Sequence, residues 1–228
     1  MSEYPSPRPT PPRVVTFDLD GLMFNTEELY QEVGGILLER RGKQLTGELL
    51  DEMMGRKSSV ALQVMIDWHC LDATPAQLAA ESAEIFADLL PARLQPMPGL
   101  LELLAALEAA DVPKGIATSS GRAFVDRTLE LFSLAPRFRF VLTAEDIENG
   151  KPAPDVYLLA ARRHGVEPGA MMVLEDSQIG CRAAVAAGAF AVAVPHGRSR
   201  GHSFPGAQFA AQTLADPRIY ATLGLPIR

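Results

Sequence analysis

Asp18 and Asp20 stand two residues apart where a short apolar run, Val14, Val15 and Phe17, gives way to Gly21. In an extended strand that spacing puts both carboxylates on one face. One can then act as a nucleophile while the other serves as general acid or base. Three more clusters follow along the chain: Thr118-Ser119-Ser120-Gly121, Lys151 between Gly150 and Pro152, and Glu175-Asp176-Ser177. Hydroxyls at a strand-to-helix turn sit where free backbone N–H groups and the helix dipole favour an anion, so they can bind a phosphate oxygen. Lys151 is placed to offset phosphate charge. Glu175 and Asp176, at the end of a buried strand, repel each other unless a cation intervenes, and hard oxygen ligands match Mg2+. Singly, the first three clusters have plainer readings: an acidic turn with Asn25 or Thr26 as helix cap, an ordinary N-cap, a solvated lysine. Together they suit a divalent metal bound beside a phosphate.

Such groups need strands that end on a common edge. Beyond residue 95 the sequence alternates strand and helix patterns, with KGIATSS, FRFVLTAED, AMMVLED and FAVAVP as the strands. That rhythm predicts a doubly wound parallel sheet, whose active site lies at the carboxyl ends of its strands. All four clusters fall there. The first strand belongs to the same sheet, because it cannot bury both faces against the helices that follow it. Helical spacing governs residues 27–95: Leu29, Val33, Ile36 and Leu37 lead to a close at Gly42, and Ser58 or Ser59 opens a helix with Val60, Val64, Trp68 and Leu71 on its apolar face. Thr74-Pro75 opens a third, running to Pro91. The expected organisation is a proline-rich flexible tail (1–12), a Rossmann-like α/β core (13–26 and 96–228) and an inserted all-helical domain (27–95).

The chain has 228 residues, 47% of them hydrophobic and 21% charged, so it can bury a core and is not disordered. A net charge of −7 leaves no basic surface for nucleic acid. No apolar run approaches the roughly 20 residues that cross a bilayer, and the opening MSEYPSPRPTPPR does not read as a secretory signal. Cys70 and Cys181 lie far apart without CxxC spacing, which argues against a disulfide or structural zinc and fits a reducing cytoplasm. The expected partner is a small phosphorylated metabolite, not a nucleic acid or a membrane.

The order DLDG, ATSS, GKPAPD and LEDS resembles the four motifs of the haloacid dehalogenase superfamily, in its phosphatase/β-phosphoglucomutase-like branch with a small helical cap. The resemblance runs from Val14 to about Pro195. It implies that Asp18 is the nucleophile, forming an aspartyl-phosphate, and that Asp20 protonates the leaving group and then activates water. It also implies that Ser119 or Thr118 holds a phosphoryl oxygen with Lys151, and that Mg2+ is held by Asp18, the Asp20 carbonyl and Asp176, with Glu175 in support. Gly55-Arg56-Lys57 resembles the branch's substrate-specificity loop, making Arg56 and Lys57 candidates for contact with a distal anionic group. Asn25 stands where many relatives carry aspartate, and Tyr30 where the mutases carry a histidine on the first cap helix.

The expected function is a Mg2+-dependent phosphatase of a small phosphate monoester, a sugar or nucleoside monophosphate. The alternatives are a phosphomutase and, outside catalysis, a phospho-acceptor module of the receiver type. A dehalogenase is disfavoured, because expelling halide needs no acid and Asp20 is present.

Overall fold

The computed structural model describes residues 11–53 and 58–226. Among them, β1 (Val14–Phe17), β2 (Lys114–Ala117), β3 (Val141–Leu142), β4 (Met171–Glu175), β5 (Phe190–Ala193) and β6 (Phe209–Ala210) form one sheet in the order β3-β2-β1-β4-β5-β6. Every pairing is parallel. β1 and β4 are buried along their whole length, which explains runs such as MMVL with no polar alternation. The chain winds outward from β1 through β2 and β3, then crosses to β4 and winds the other way. A crevice opens where that direction reverses, outside the carboxyl ends of β1 and β4. Phe17 pairs with both Ile116 and Leu174, so the three central strands end level with one another. β6 is an addition to the sequence reading: two residues on a sheet edge leave no alternation to detect.

Residues Thr26–Leu94 form a separate compact unit, built from α1 (Thr26–Glu39), α2 (Gly47–Met53), α3 (Ser58–His69) and α4 (Pro75–Arg93). Thr74 caps α4 reciprocally: its hydroxyl accepts from the Gln77 N–H at 3.2 Å, and the Gln77 side chain accepts from the Thr74 N–H at 2.8 Å. Three expectations need correction. α2 was not foreseen, although Thr46 marks its start by accepting from the Leu49 N–H. α3 buries Leu62, Met65 and Ile66, while Val60 and Trp68 of the expected face are 44% and 46% exposed. α4 also runs two residues past Pro91, which near a helix end forgoes a single hydrogen bond.

In the α/β unit, α5 (Leu100–Ala109), α6 (Arg122–Leu131), α7 (Asp155–His164), α8 (Gln178–Ala186) and α9 (Pro217–Leu223) complete the fold. α7 and α8 bring Val156, Tyr157, Ala160, Ala183 and Ala184 into one core with Val14, Met171 and Val173. The two connections to the helical unit lie side by side as they leave and re-enter. The Gln95 N–H donates to Asn25 Oδ1 at 2.7 Å, the Asn25 N–H to the Gln95 carbonyl at 3.2 Å, and the Met97 N–H to the Met23 carbonyl at 2.8 Å. Asn25 therefore clasps the two crossings. Among the described residues no helix is long and apolar enough to cross a membrane.

Candidate active site

The strands deliver their polar residues to the crevice through backbone constraints. β1 ends where the Asp18 N–H donates to the Leu174 carbonyl at 3.0 Å, which holds Asp18 against β4 with 6% exposure. The chain then turns at Gly21, whose φ of +73° is left-handed and whose missing Cβ would strike the Asp176 carboxylate. Only glycine lets the exit from β1 pass so close to the exit from β4. Asp20 Oδ2 accepts from the hydroxyls of Ser120 at 2.5 Å and Thr118 at 3.3 Å. The Thr118 hydroxyl accepts in turn from the Ser120 N–H at 3.1 Å, so the loop after β2 is folded around Asp20.

Lys151 lies four residues ahead of α7, and its peptide bond to Pro152 is cis. Its ammonium donates to Asp18 Oδ1 at 2.5 Å, to Glu175 Oε1 at 2.6 Å and to the Ala117 carbonyl at 3.1 Å. The side chain is 4% exposed. Burial disfavours this ammonium, yet Asp18 and Glu175 outweigh it and hold its pKa well above the usual lysine range. Burial lifts the Asp18 carboxyl to about 8; Lys151 opposes that rise, and Glu175 and Asp20 add to it. Burial also raises the Cys181 thiol, which removes it as a nucleophile.

Over residues 15–194 the chain matches the family model described as haloacid dehalogenase-like hydrolase. The chain belongs to that family. It is 36% identical over 188 residues to a probable pseudouridine-5'-phosphatase of Drosophila melanogaster, covering 80% of this chain and 81% of that one. It is 31% identical over 178 residues to a fructose-1-phosphate phosphatase of Escherichia coli, covering 78% and 94%. A putative β-phosphoglucomutase from Thermotoga maritima superposes with a TM-score of 0.78 at 26% identity, over 93% of this chain and 97% of that one. The receiver-type alternative is thereby set aside, and the sheet order agrees, since a receiver-like fold runs 2-1-3-4-5.

In this haloacid dehalogenase-like hydrolase, Asp18, Asp20, Thr118, Lys151, Glu175 and Asp176 converge on one crevice. Ser119 is exposed, and the hydroxyl that reaches Asp20 beside Thr118 is that of Ser120. Arg56 and Lys57 lie outside the described residues. Ser177, named in the sequence only as part of its cluster, donates its hydroxyl to Glu175 Oε2 at 3.0 Å, and Tyr157, which the sequence reading did not single out, donates to Glu175 Oε1 at 2.6 Å. The available signal was a tyrosine on the buried face of the helix that follows Lys151.

Oxygens of Asp18, Glu175 and Asp176 lie within 4.8 Å of one another, all three residues buried. Hard donors and an excess of carboxylates over the single ammonium fit a divalent cation such as Mg2+, whose charge would relieve the cost that lifts Asp18.

Proposed function

We propose that this hydrolase is a Mg2+-dependent phosphatase of small phosphate monoesters, sugar or nucleoside monophosphates. The observation that carries the reading is the Lys151 ammonium held on Asp18 Oδ1 at the switch point of the sheet, with Asp20 fixed beside it by Ser120 and Thr118. The phosphatase names of its relatives support it. An Asp18 carboxylate oxygen attacks phosphorus, the bond from phosphorus to the ester oxygen breaks, and Asp20 gives its proton to the departing alkoxide. Water then attacks the aspartyl-phosphate, Asp20 takes the water's proton, and the bond from phosphorus to Asp18 breaks to release inorganic phosphate. Lys151, with Thr118 or Ser119, would meet the phosphoryl oxygens. Bound Mg2+ would supply positive charge to those oxygens. Asp18, the Asp20 carbonyl and Asp176 would hold it, with Glu175 in support; Arg56 and Lys57 are the proposed contacts for a distal anionic group.

The test is phosphate release from a panel of sugar and nucleoside monophosphates. Turnover should vanish in EDTA and return with Mg2+. Full activity in EDTA, or none on any ester with Mg2+ present, would overturn the reading.

A further inference from the structure

We propose that the α/β unit carries a second anion site, apart from the crevice of Asp18 and Lys151: a preformed cavity lined by Arg200, Gln212 and Thr213 that takes a small oxyanion, of the size of inorganic phosphate, without a metal. The cavity measures about 100 Å3, the liquid volume of about three waters at roughly 30 Å3 each. Four segments wall it: Gly21 and Leu22 after β1, Met97 and Pro98 before α5, Val194 to His196 after β5, and Gln212 to Leu214 after β6. Hydrogen bonds tie these segments to their neighbours. The Met97 N–H donates to the Met23 carbonyl at 2.8 Å, the Val194 N–H to the Glu175 carbonyl at 2.7 Å, and the Ala211 N–H to the Ala193 carbonyl at 2.7 Å. The turn that brings Arg200 to the cavity is held by buried Ser199, whose hydroxyl accepts from the His196 N–H at 2.9 Å and donates to the His196 carbonyl at 2.7 Å. The walls are therefore set before a ligand arrives, and little ordering cost is left to meet on binding.

The lining selects the charge of that ligand. Leu22, Met97, Val194 and Leu214 supply apolar surface, and the polar lining is His196, Arg200, Gln212 and Thr213, with no carboxylate among the described residues. Acidic residues outnumber basic ones 28 to 21 in this chain, so a cavity that gathers an arginine and excludes every acid stands out from its surface. Among the described residues the Arg200 guanidinium and the Gln212 amide have no acceptor. Thr213 Oγ1 accepts from the Ala215 N–H at 3.2 Å, which leaves its own proton to give. Arginine stays charged and offers a fork of donors that matches an oxyanion. Arg200 and Gln212 are exposed, so an ion can enter from solvent. Gly21 belongs to both sites, since it lines the cavity and abuts the Asp176 carboxylate. The two sites nevertheless differ in what they require. In the crevice, Asp18, Glu175 and Asp176 repel an anion until a cation offsets them; in the cavity nothing does.

NMR of the histidine side chains in EDTA tests the proposal. Of the four histidines only His196 lines the cavity, and its imidazole signals can be assigned with His196→Gln. As inorganic phosphate replaces chloride at constant pH and ionic strength, these signals should shift saturably with a Kd of about 1 mM, while those of His69 and His164 stay in place. Arg200→Gln should raise that Kd by at least about fivefold with circular dichroism unchanged. Gln212→Leu, which leaves Arg200 in place, repeats the test independently and should raise it about two- to threefold. Saturating Mg2+ should alter the wild-type Kd by less than about twofold. A shift seen only with Mg2+ would put the ion in the crevice and overturn the proposal. So would a Kd that neither substitution changes, or no shift up to about 20 mM phosphate. None of these readings uses turnover, so the site stands or falls separately from the phosphatase reading.

Discussion

Asp18 is buried against Lys151, and burial lifts its carboxyl while Glu175 and Asp20 push in the same direction. Its proposed work as nucleophile depends on the positive charge gathered around it. Asp18→Asn keeps an acceptor for Lys151 but an amide is no useful nucleophile toward phosphorus, so turnover should fall by at least about a thousandfold with circular dichroism unchanged. Retention of more than about a tenth of the activity would falsify that assignment. Asp20 has a different task, and its substitution should show it. With Asp20→Asn, a sugar phosphate, whose alkoxide leaves poorly, should lose about a hundred- to ten-thousandfold in the first step. An aryl phosphate leaves without help, so p-nitrophenyl phosphate should still give a burst of about one nitrophenol per site before turnover stalls. Equal loss in the first step for both esters would count against Asp20 as the acid.

At the scale of elements, α7 carries Tyr157 near its start and His164 at its end. His164 is buried, with Nε2 3.3 Å from the Thr16 hydroxyl of β1 and its ring against Phe140. Burial, helped by Arg139, lowers its pKa from 6.5 to about 4. Its folded pKa is depressed, so its contribution to stability is full above pH 6.5 and is lost as the pH falls toward 4. Allowing for screening, the loss is roughly 1–2 kcal/mol. Comparison with His164→Gln cancels the other titrating groups: the wild-type advantage in Tm at pH 7 should shrink steadily by pH 4.5. A constant gap would show that folding leaves the His164 pKa where it stands in the unfolded chain. The elements were legible in the sequence to uneven depth. The central strands and the residues at their ends were readable because a buried parallel strand is an unbroken apolar run that must stop at something polar. The buried face of α3 was not, since its apolar residues satisfy helical spacing along 60, 64 and 68 as well as along 62, 65 and 66. Tyr157 escaped for another reason: a tyrosine on a buried face packs like any core aromatic, and only the folded register reveals that its hydroxyl ends on Glu175.

For the molecule as a whole, the open choice is between hydrolysis and phosphoryl return to a sugar. Tyr30, on the helical unit, is 52% exposed, with its ring 4.8 Å from that of Phe86. A phenol carries no positive charge near neutral pH, unlike the histidine of the mutases, so the aspartyl-phosphate should pass to water without waiting for a second sugar phosphate. Given β-glucose 1-phosphate with catalytic glucose 1,6-bisphosphate, free phosphate should outrun glucose 6-phosphate. Isomerisation exceeding phosphate release by more than about tenfold would assign a mutase instead. The clasp between Asn25 and Gln95 bears on how such a chain assembles. β1 must find Lys114 of β2 across the whole insertion, and the entropy of closing a chain segment grows with its length while distant pairings slow folding. Once residues 26–94 have folded on themselves and their ends are tied, that long interval behaves as a knot already drawn tight, and β1 meets α5 as though joined to it by a short turn.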